Sequence, residues 1–191
     1  ITGVKLSPSE GVIMKRNLFI LVAFLLVATF ANAQTAEDTK FSFGGGASFP
    51  MENFSTIAEV GVSTSVGYEH QLNAHVASCV NWTYSKNAGK ATSAYIGNTI
   101  DARFRYYIQD FLVGKTIVNP YLIFGAGIAS QDLMADNLPP EVLLGTATGA
   151  GILWKASAKL HIFGELNFLV AGTESTKLAA KAGISIPATI F

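Results

Sequence analysis

A single cysteine, Cys79, excludes any intrachain disulfide, so nothing covalent can hold this chain together. Charge is scarce as well: 14% of the 191 residues are charged, and 13 basic side chains face 13 acidic ones. With no Lys/Arg cluster anywhere, there is no electrostatic footprint for nucleic acid. Beyond residue 34 no apolar run reaches the 18 residues or so that a membrane helix needs. Yet half of all residues are hydrophobic, more than a chain of this size needs for one core.

The one long apolar run is at the front. Lys15 and Arg16 precede Leu18–Phe30, which ends at Ala31-Asn32-Ala33-Gln34. A basic start, a short apolar stretch and an Ala-x-Ala site are the marks of a cleaved export signal, expected over 14–33. A transmembrane anchor would need about 20 apolar residues and no small residues at the cleavage positions. Residues 1–13 lie upstream of Met14 and are expected to be a non-native extension. The mature chain then spans 34–191 as one domain, and it loses three of the 13 basic and one of the 13 acidic residues to become weakly acidic, near −2. Cys79 lies far from the cleavage site, so the leader is not that of a lipoprotein.

Pattern accounts for the apolar excess. Eight segments of about ten residues alternate in polarity, with turn-like stretches between them. In Lys40–Phe49, Phe41, Phe43, Ala47 and Phe49 oppose Ser42, Gly44, Gly46 and Ser48. Val60, Val62, Thr64, Val66 and Tyr68 then alternate with Glu59, Gly61, Ser63, Ser65, Gly67 and Glu69. Val76, Val80, Trp82 and Tyr84 oppose His75, Ala77, Cys79, Asn81 and Thr83. A fourth segment sets Ile100, Ala102, Phe104, Tyr106 and Ile108 against Asp101, Arg103, Arg105, Tyr107 and Gln109. Asn119–Ser130 opposes Leu122, Phe124, Ala126 and Ile128 to Tyr121, Gly125 and Gly127. Gly145–Phe168 reads as a hairpin whose second arm puts Leu160, Ile162, Gly164, Leu166 and Phe168 on one face and Lys159, His161, Phe163, Glu165 and Asn167 on the other. The last segment opposes Ala180, Ala182, Ile184 and Ile186 to Lys181, Gly183 and Ser185. Period-2 alternation of this length marks strands with a different environment on each face.

A soluble sandwich or a lipocalin-like binding barrel turns its apolar faces inward. A barrel in lipid inverts that order, and it must close because hydrocarbon satisfies no backbone group. Three features favour inversion: the export signal, aromatics near segment ends (Tyr68, Trp82, Tyr84, Tyr106, Trp154), and glycines on the polar face, where small residues leave room for long ones in a narrow eight-stranded lumen. The connections agree. From a periplasmic N-terminus, Gln71–Ala74 and Lys155–Ala158 are short near-side turns, while Pro50–Thr56, Ser85–Ser93, Gln131–Leu143 and Ala171–Ser175 fall outside; Asp110–Ile117 is a long near-side exception.

With its export signal, eight alternating segments, the strands Tyr121–Gly127 (YLIFGAG) and Gly149–Lys155 (GAGILWK), the Glu165-bearing strand and a terminal Phe191, the chain resembles the small outer-membrane β-barrels of the OmpA-transmembrane-domain and OmpX type over Gln34–Phe191. The resemblance implies an all-β, eight-stranded, antiparallel, up-and-down transmembrane barrel in the outer membrane. It also implies lipid and lipopolysaccharide around the barrel, and Phe191 as the signal for the barrel assembly machinery. The tail departs from the family's alternation, with Thr189, Pro187 and Ser185 at the positions where apolar residues belong. A bulge at Pro187, which cannot donate to a ladder, would return Phe191 to the lipid face.

If the barrel closes in this way, Glu59, Glu69, Asp101, Arg103, Arg105, Lys159, His161, Glu165 and Lys181 share one lumen. Buried charges must be paired, so a stabilising network that plugs the interior is expected rather than a catalytic or conducting cluster. His161 and Glu165 lie about 13–14 Å apart along one strand, too far for an acid–base pair. A lipid A-acting enzyme would need a serine, a histidine and an orienting carboxylate on the membrane-facing side, and no such pair stands out. His75 and Cys79 are likewise too distant to share a metal ion. Asp132, Asp136, Asn137 and Glu141 lack the spacing of a calcium loop, and Pro139-Pro140 suits a solvated turn. No cofactor is expected. No peptidoglycan-binding domain is expected beyond Phe191, and the expected role is non-enzymatic: envelope integrity, or contact with an unidentified surface partner through four outer loops. A narrow path for a small or hydrophobic solute is the second expectation.

Overall fold

The computed structural model describes residues 39–90, 94–108, 111–113, 116–133, 141–171 and 176–190. The export signal, residues 1–13 and Phe191 lie outside them, as do 91–93, 134–140 and 172–175 of the expected outer loops, with Asp136 and Asn137 of the calcium reading.

Eight long strands form one antiparallel sheet: β1 (Thr39–Pro50), β2 (Ala58–Gln71), β3 (Val76–Gly89), β4 (Tyr95–Tyr107), β6 (Thr116–Leu133), β7 (Glu141–Lys155), β8 (His161–Ala171) and β9 (Lys177–Pro187). Each pairs with its neighbours in the chain, β1 pairs with β9 from Lys40↔Pro187 to Pro50↔Lys177, and β4 with β6 from Tyr95↔Leu133 to Tyr107↔Tyr121. The sheet therefore closes on itself as an eight-stranded up-and-down barrel with no free edge among the long strands. A short strand, β5 (Phe111–Val113), folds back on the start of β6 and occupies part of the long near-side connection. Among the described residues no helix is long and apolar enough to cross a membrane.

The near end, which holds Thr39 and Pro187, is closed by two short side-chain-capped turns. The Asn73 side chain accepts hydrogen bonds from the backbone N–H of His75 and of Val76, each at 2.9 Å, which reverses the chain between β2 and β3. Ser157 does the same before β8, its Oγ accepting from Lys159 at 3.2 Å and Leu160 at 3.1 Å. That turn holds Lys159 in water, so this lysine, expected in the lumen, is exposed.

Elsewhere the strands outrun the expected segments. β3 continues to Gly89 and β4 begins at Tyr95, through most of what reads as a loop from Ser85, because the alternation persists there: Ser85, Asn87, Gly97 and Thr99 are buried while Lys86 and Asn98 face out. Trp82 consequently sits at the middle of β3 and not near a strand end. Tyr106 and Trp154 each lie one residue from the near end of their strands, Tyr68 three residues from the end of β2, and Tyr84 five residues from the far end of β3. Between Ala58 and Gly61 the register to β3 slips by one residue, and this β-bulge turns Glu59 out to solvent, which corrects its expected place in the lumen. No bulge occurs at Pro187. Pairing to β1 runs regularly up to it and ends there, and the chain then leaves the sheet as a 3-10 turn over Ala188–Ile190.

Burial inverts the usual order. Val62, Phe124 and Leu166 are 64%, 53% and 56% exposed on the outer wall, whereas Glu69, Asp101 and Arg105 are 2%, 1% and 2% exposed inside. An apolar wall around a buried polar lumen suits hydrocarbon outside and not water.

Glycines make room for large rings in the lumen. A Cβ at Gly151 would stand 2.4 Å from Cζ of Tyr121, and one at Gly44 or Gly183 would stand 2.9 or 2.7 Å from Cζ of Phe163. Gly164, on the outer wall, has nothing within 4 Å. Gly151→Leu should therefore lower stability by about 1–3 kcal/mol through overpacking, while Gly164→Leu should cost nothing; denaturant midpoints of the two refolded variants would check this.

Candidate functional site: a charged lumen

Positions i, i+2 and i+4 of a strand share a face, so Asp101, Arg103 and Arg105 of β4 all point inward. Asp101 and Arg103 satisfy each other, with Arg103 Nη2 donating to Asp101 Oδ2 at 2.8 Å and Arg103 Nε to Oδ1. Arg105 reaches further. Its guanidinium donates to Glu69 Oε2 of β2 and, at 2.7 Å, to Glu165 Oε2 of β8, so one side chain ties three strands across the lumen. The fork geometry of arginine allows both bonds at once.

Each carboxylate collects more donors. Glu69 accepts from Lys40 Nζ at 3.0 Å, from the Tyr107 hydroxyl at 2.9 Å and from the Cys79 thiol at 3.7 Å. Glu165 accepts from the Tyr121 hydroxyl at 3.1 Å and from Asn167 Nδ2 at 3.2 Å. Around this level lies an apolar collar of Ala77, Tyr107, Tyr121, Ile123, Leu153 and Phe163, all nearly or wholly inaccessible. The rings of Tyr121 and Phe163 lie 5.0 and 6.0 Å from the Arg105 guanidinium carbon. At this level Glu69 and Glu165 are ion-paired with Lys40 and Arg105.

Glu69, Asp101, Arg103, Arg105, His161, Glu165 and Lys181 are all buried inside; Glu59 and Lys159 are not among them. Arg105 draws Glu69 and Glu165 together, while Lys181 is held apart, donating to Thr83 Oγ1 at 2.9 Å. His161 lies at the near end of β8, away from the arginines. Sequence reading missed Lys40, although it shares parity with Ser42, and it left the hydroxyls of Tyr107 and Tyr121 without a role. Ile123 and Leu153 share the inward parity of Tyr121 and Gly151, but being apolar they carry no polarity signal that marks them as lumen residues.

The alternatives find little here. His75 is exposed in the β2–β3 turn, with Nδ1 3.2 Å from the Tyr107 carbonyl, whereas Cys79 is buried and bonded to Glu69. Among the described residues no group of three His, Cys, Asp or Glu side chains could hold a metal ion. A hydroxyl–imidazole contact does occur between Thr39 and His70 at 3.4 Å, buried where β1 begins and β2 ends, on the strand parity opposite to that of Lys40 and Glu69.

No family profile matches the chain, and no curated protein matches it. Solved structures do. Neisserial surface protein A is 14% identical, with a TM-score of 0.65 over 78% of this chain and 97% of that one. The N-terminal β-barrel domain of OprF from Pseudomonas aeruginosa is 16% identical, with a TM-score of 0.50 over 78% of this chain and 96% of the domain. At these identities the likeness is one of fold: the chain has the architecture of the small eight-stranded outer-membrane β-barrels.

Proposed function

We propose that this protein is an integral outer-membrane barrel that neither conducts nor catalyses, and that it serves the envelope as a rigid body presenting its far-end loops to the outside. The closure of the lumen around Arg105 carries this reading. At that level Ala77, Ile123, Tyr121 and Arg105 are between 0% and 2% exposed, so water has no room beside them. A charge crossing there would have to break the bonds from Arg105 to Glu69 and Glu165, which in a low-dielectric interior is costly. The name of the neisserial relative, a surface protein, supports the outward role.

The test is electrical and then functional. Reconstituted in a planar bilayer, the protein should pass no current above that of a bare bilayer; a stable unitary conductance would sink the proposal. Exchanging residues 134–140 for a minimal turn should leave the heat-modifiable gel mobility of a folded barrel intact while reducing adhesion of cells that carry it. Unchanged adhesion after each of the four far-end loops is exchanged would remove the surface role. A change in lipid A mass on deleting the gene would argue for an enzyme.

A further inference from the structure

The lumen is closed toward its two ends by different means. On the near side the collar around Arg105 is built from side chains of the strands themselves. At the far mouth a closing group is Phe54, which belongs to no strand. It sits on the single-turn helix α1 (Phe54–Ile57) in the β1–β2 connection, yet it is 3% exposed and meets Tyr95 of β4 edge to face at 5.5 Å. Under its ring lies a cavity of about 10 Å³, room for one water, whose walls include Ser85, Asn87, Thr99, Ser130 and Lys177. Elsewhere in the lumen Ser48 Oγ, Ser63 Oγ, Asn81 Nδ2 and Asn167 Oδ1 are buried with no hydrogen-bond partner among the described residues. Polar atoms of this kind are costly to keep unpartnered. Water is the partner that a route from outside would bring them.

The segment that carries Phe54 is bonded chiefly to itself. The Ser55 N–H donates to the carbonyls of Met51 at 3.3 Å and Glu52 at 3.1 Å, and the Thr56 N–H to that of Asn53 at 3.1 Å. The hydroxyls of Ser55 and Thr56 donate to the Glu52 and Asn53 carbonyls at 2.6 and 2.7 Å. Its fastenings to the barrel among the described residues are few. The Met51 N–H donates to the Thr176 carbonyl at 2.8 Å, Thr176 Oγ1 to Glu52 Oε2 at 3.4 Å, and the Lys90 N–H to the Ile57 carbonyl at 3.0 Å. Both ends of the segment are also irregular. Glu52 has a φ of 50°, in the left-handed region that a residue with a side chain seldom adopts, and the register slips between Ala58 and Gly61. We propose that Met51–Ile57 is a lid: it swings as a unit on Glu52 and the bulge after Ala58, lifts Phe54 from the far mouth and admits water to the upper lumen while the Arg105 collar stays shut. The barrel then alternates between a closed body and a cup open to the outside, and neither state passes current.

Cysteine accessibility tests this on the mature barrel in a non-ionic detergent, with iodoacetamide as the reagent and labelling followed by mass. Thr99→Cys, made together with Cys79→Ala, reports on the space under Phe54. In proteins that keep it, the native Cys79, buried beside Glu69, reports on the collar level. Thr99→Cys should label slowly, at a rate set by the population of the open form. Adding Phe54→Ala should speed labelling by about tenfold or more, through the loss of a buried ring. Adding Thr176→Val should speed it by about fivefold, through the loss of one hydrogen bond. Cys79 should stay unlabelled with or without either change, although it labels fully in denaturant. An unchanged rate in either lid variant would overturn the lid. So would labelling of Cys79 at the rate of Thr99→Cys, which would mean that the whole barrel opens.

Discussion

Glu165→Lys is expected to destabilise the folded barrel by about 3–5 kcal/mol, the range seen when a buried ion pair loses one partner. Glu165 accepts from Arg105, Tyr121 and Asn167. Lysine there has no lone pair to offer them, and it brings a cation beside Arg105 and opposite Lys181. Glu69 can retain one arm of Arg105, which limits the damage. Glu165→Gln keeps the shape and an acceptor and should fall between parent and lysine variant. Trp82 and Trp154, both on the outer wall, report unfolding by fluorescence as they leave lipid or detergent for water. Equal denaturant midpoints for parent and Glu165→Lys would mean that the lumen network contributes nothing to stability.

Phe124→Arg tests the opposite face. Phe124 lies at the middle of β6 with its ring outward, between Phe104 and Thr148 in register. In a bilayer an arginine at the midplane of the lipid face costs about 2–4 kcal/mol, falling toward zero at the interfaces. Asn98→Arg, outward on the far-end extension of β4, should therefore change stability little. Were the wall facing water, Phe124→Arg would relieve an exposed ring and leave the midpoint unchanged or raised. Unfolding of both variants in liposomes separates the two cases.

The order of strands and the choice of inner and outer face were readable because both depend on short-range pattern. Alternation in Val60–Glu69 or Ile100–Gln109 assigns each side chain a face before anything is known of its neighbours. Errors arose where pattern and backbone part. The bulge before Gly61 moves Glu59 by one position, and the Ser157-capped turn ends the parity of β8 before Lys159. Both depend on local hydrogen bonds that polarity alone does not signal. The same holds for the ends of β3 and β4, where polar outward residues in a continuing ladder read as loop.

The sequence by itself determined that the strands are two-faced, that charge belongs to one face, and that an apolar wall surrounds it, since these follow from the period of the strand and the solvent on each side. Only the tertiary structure decided which charges meet. Arg105 and Glu165 are 60 residues apart in the chain, and no periodicity relates them; they bond because closing β4 against β6 brings opposite walls of a narrow barrel within the reach of one side chain. The same closure sets Lys177 against Ser85, 92 residues away in the chain, because strand position along the axis, and not sequence distance, sets a lumen residue's neighbours.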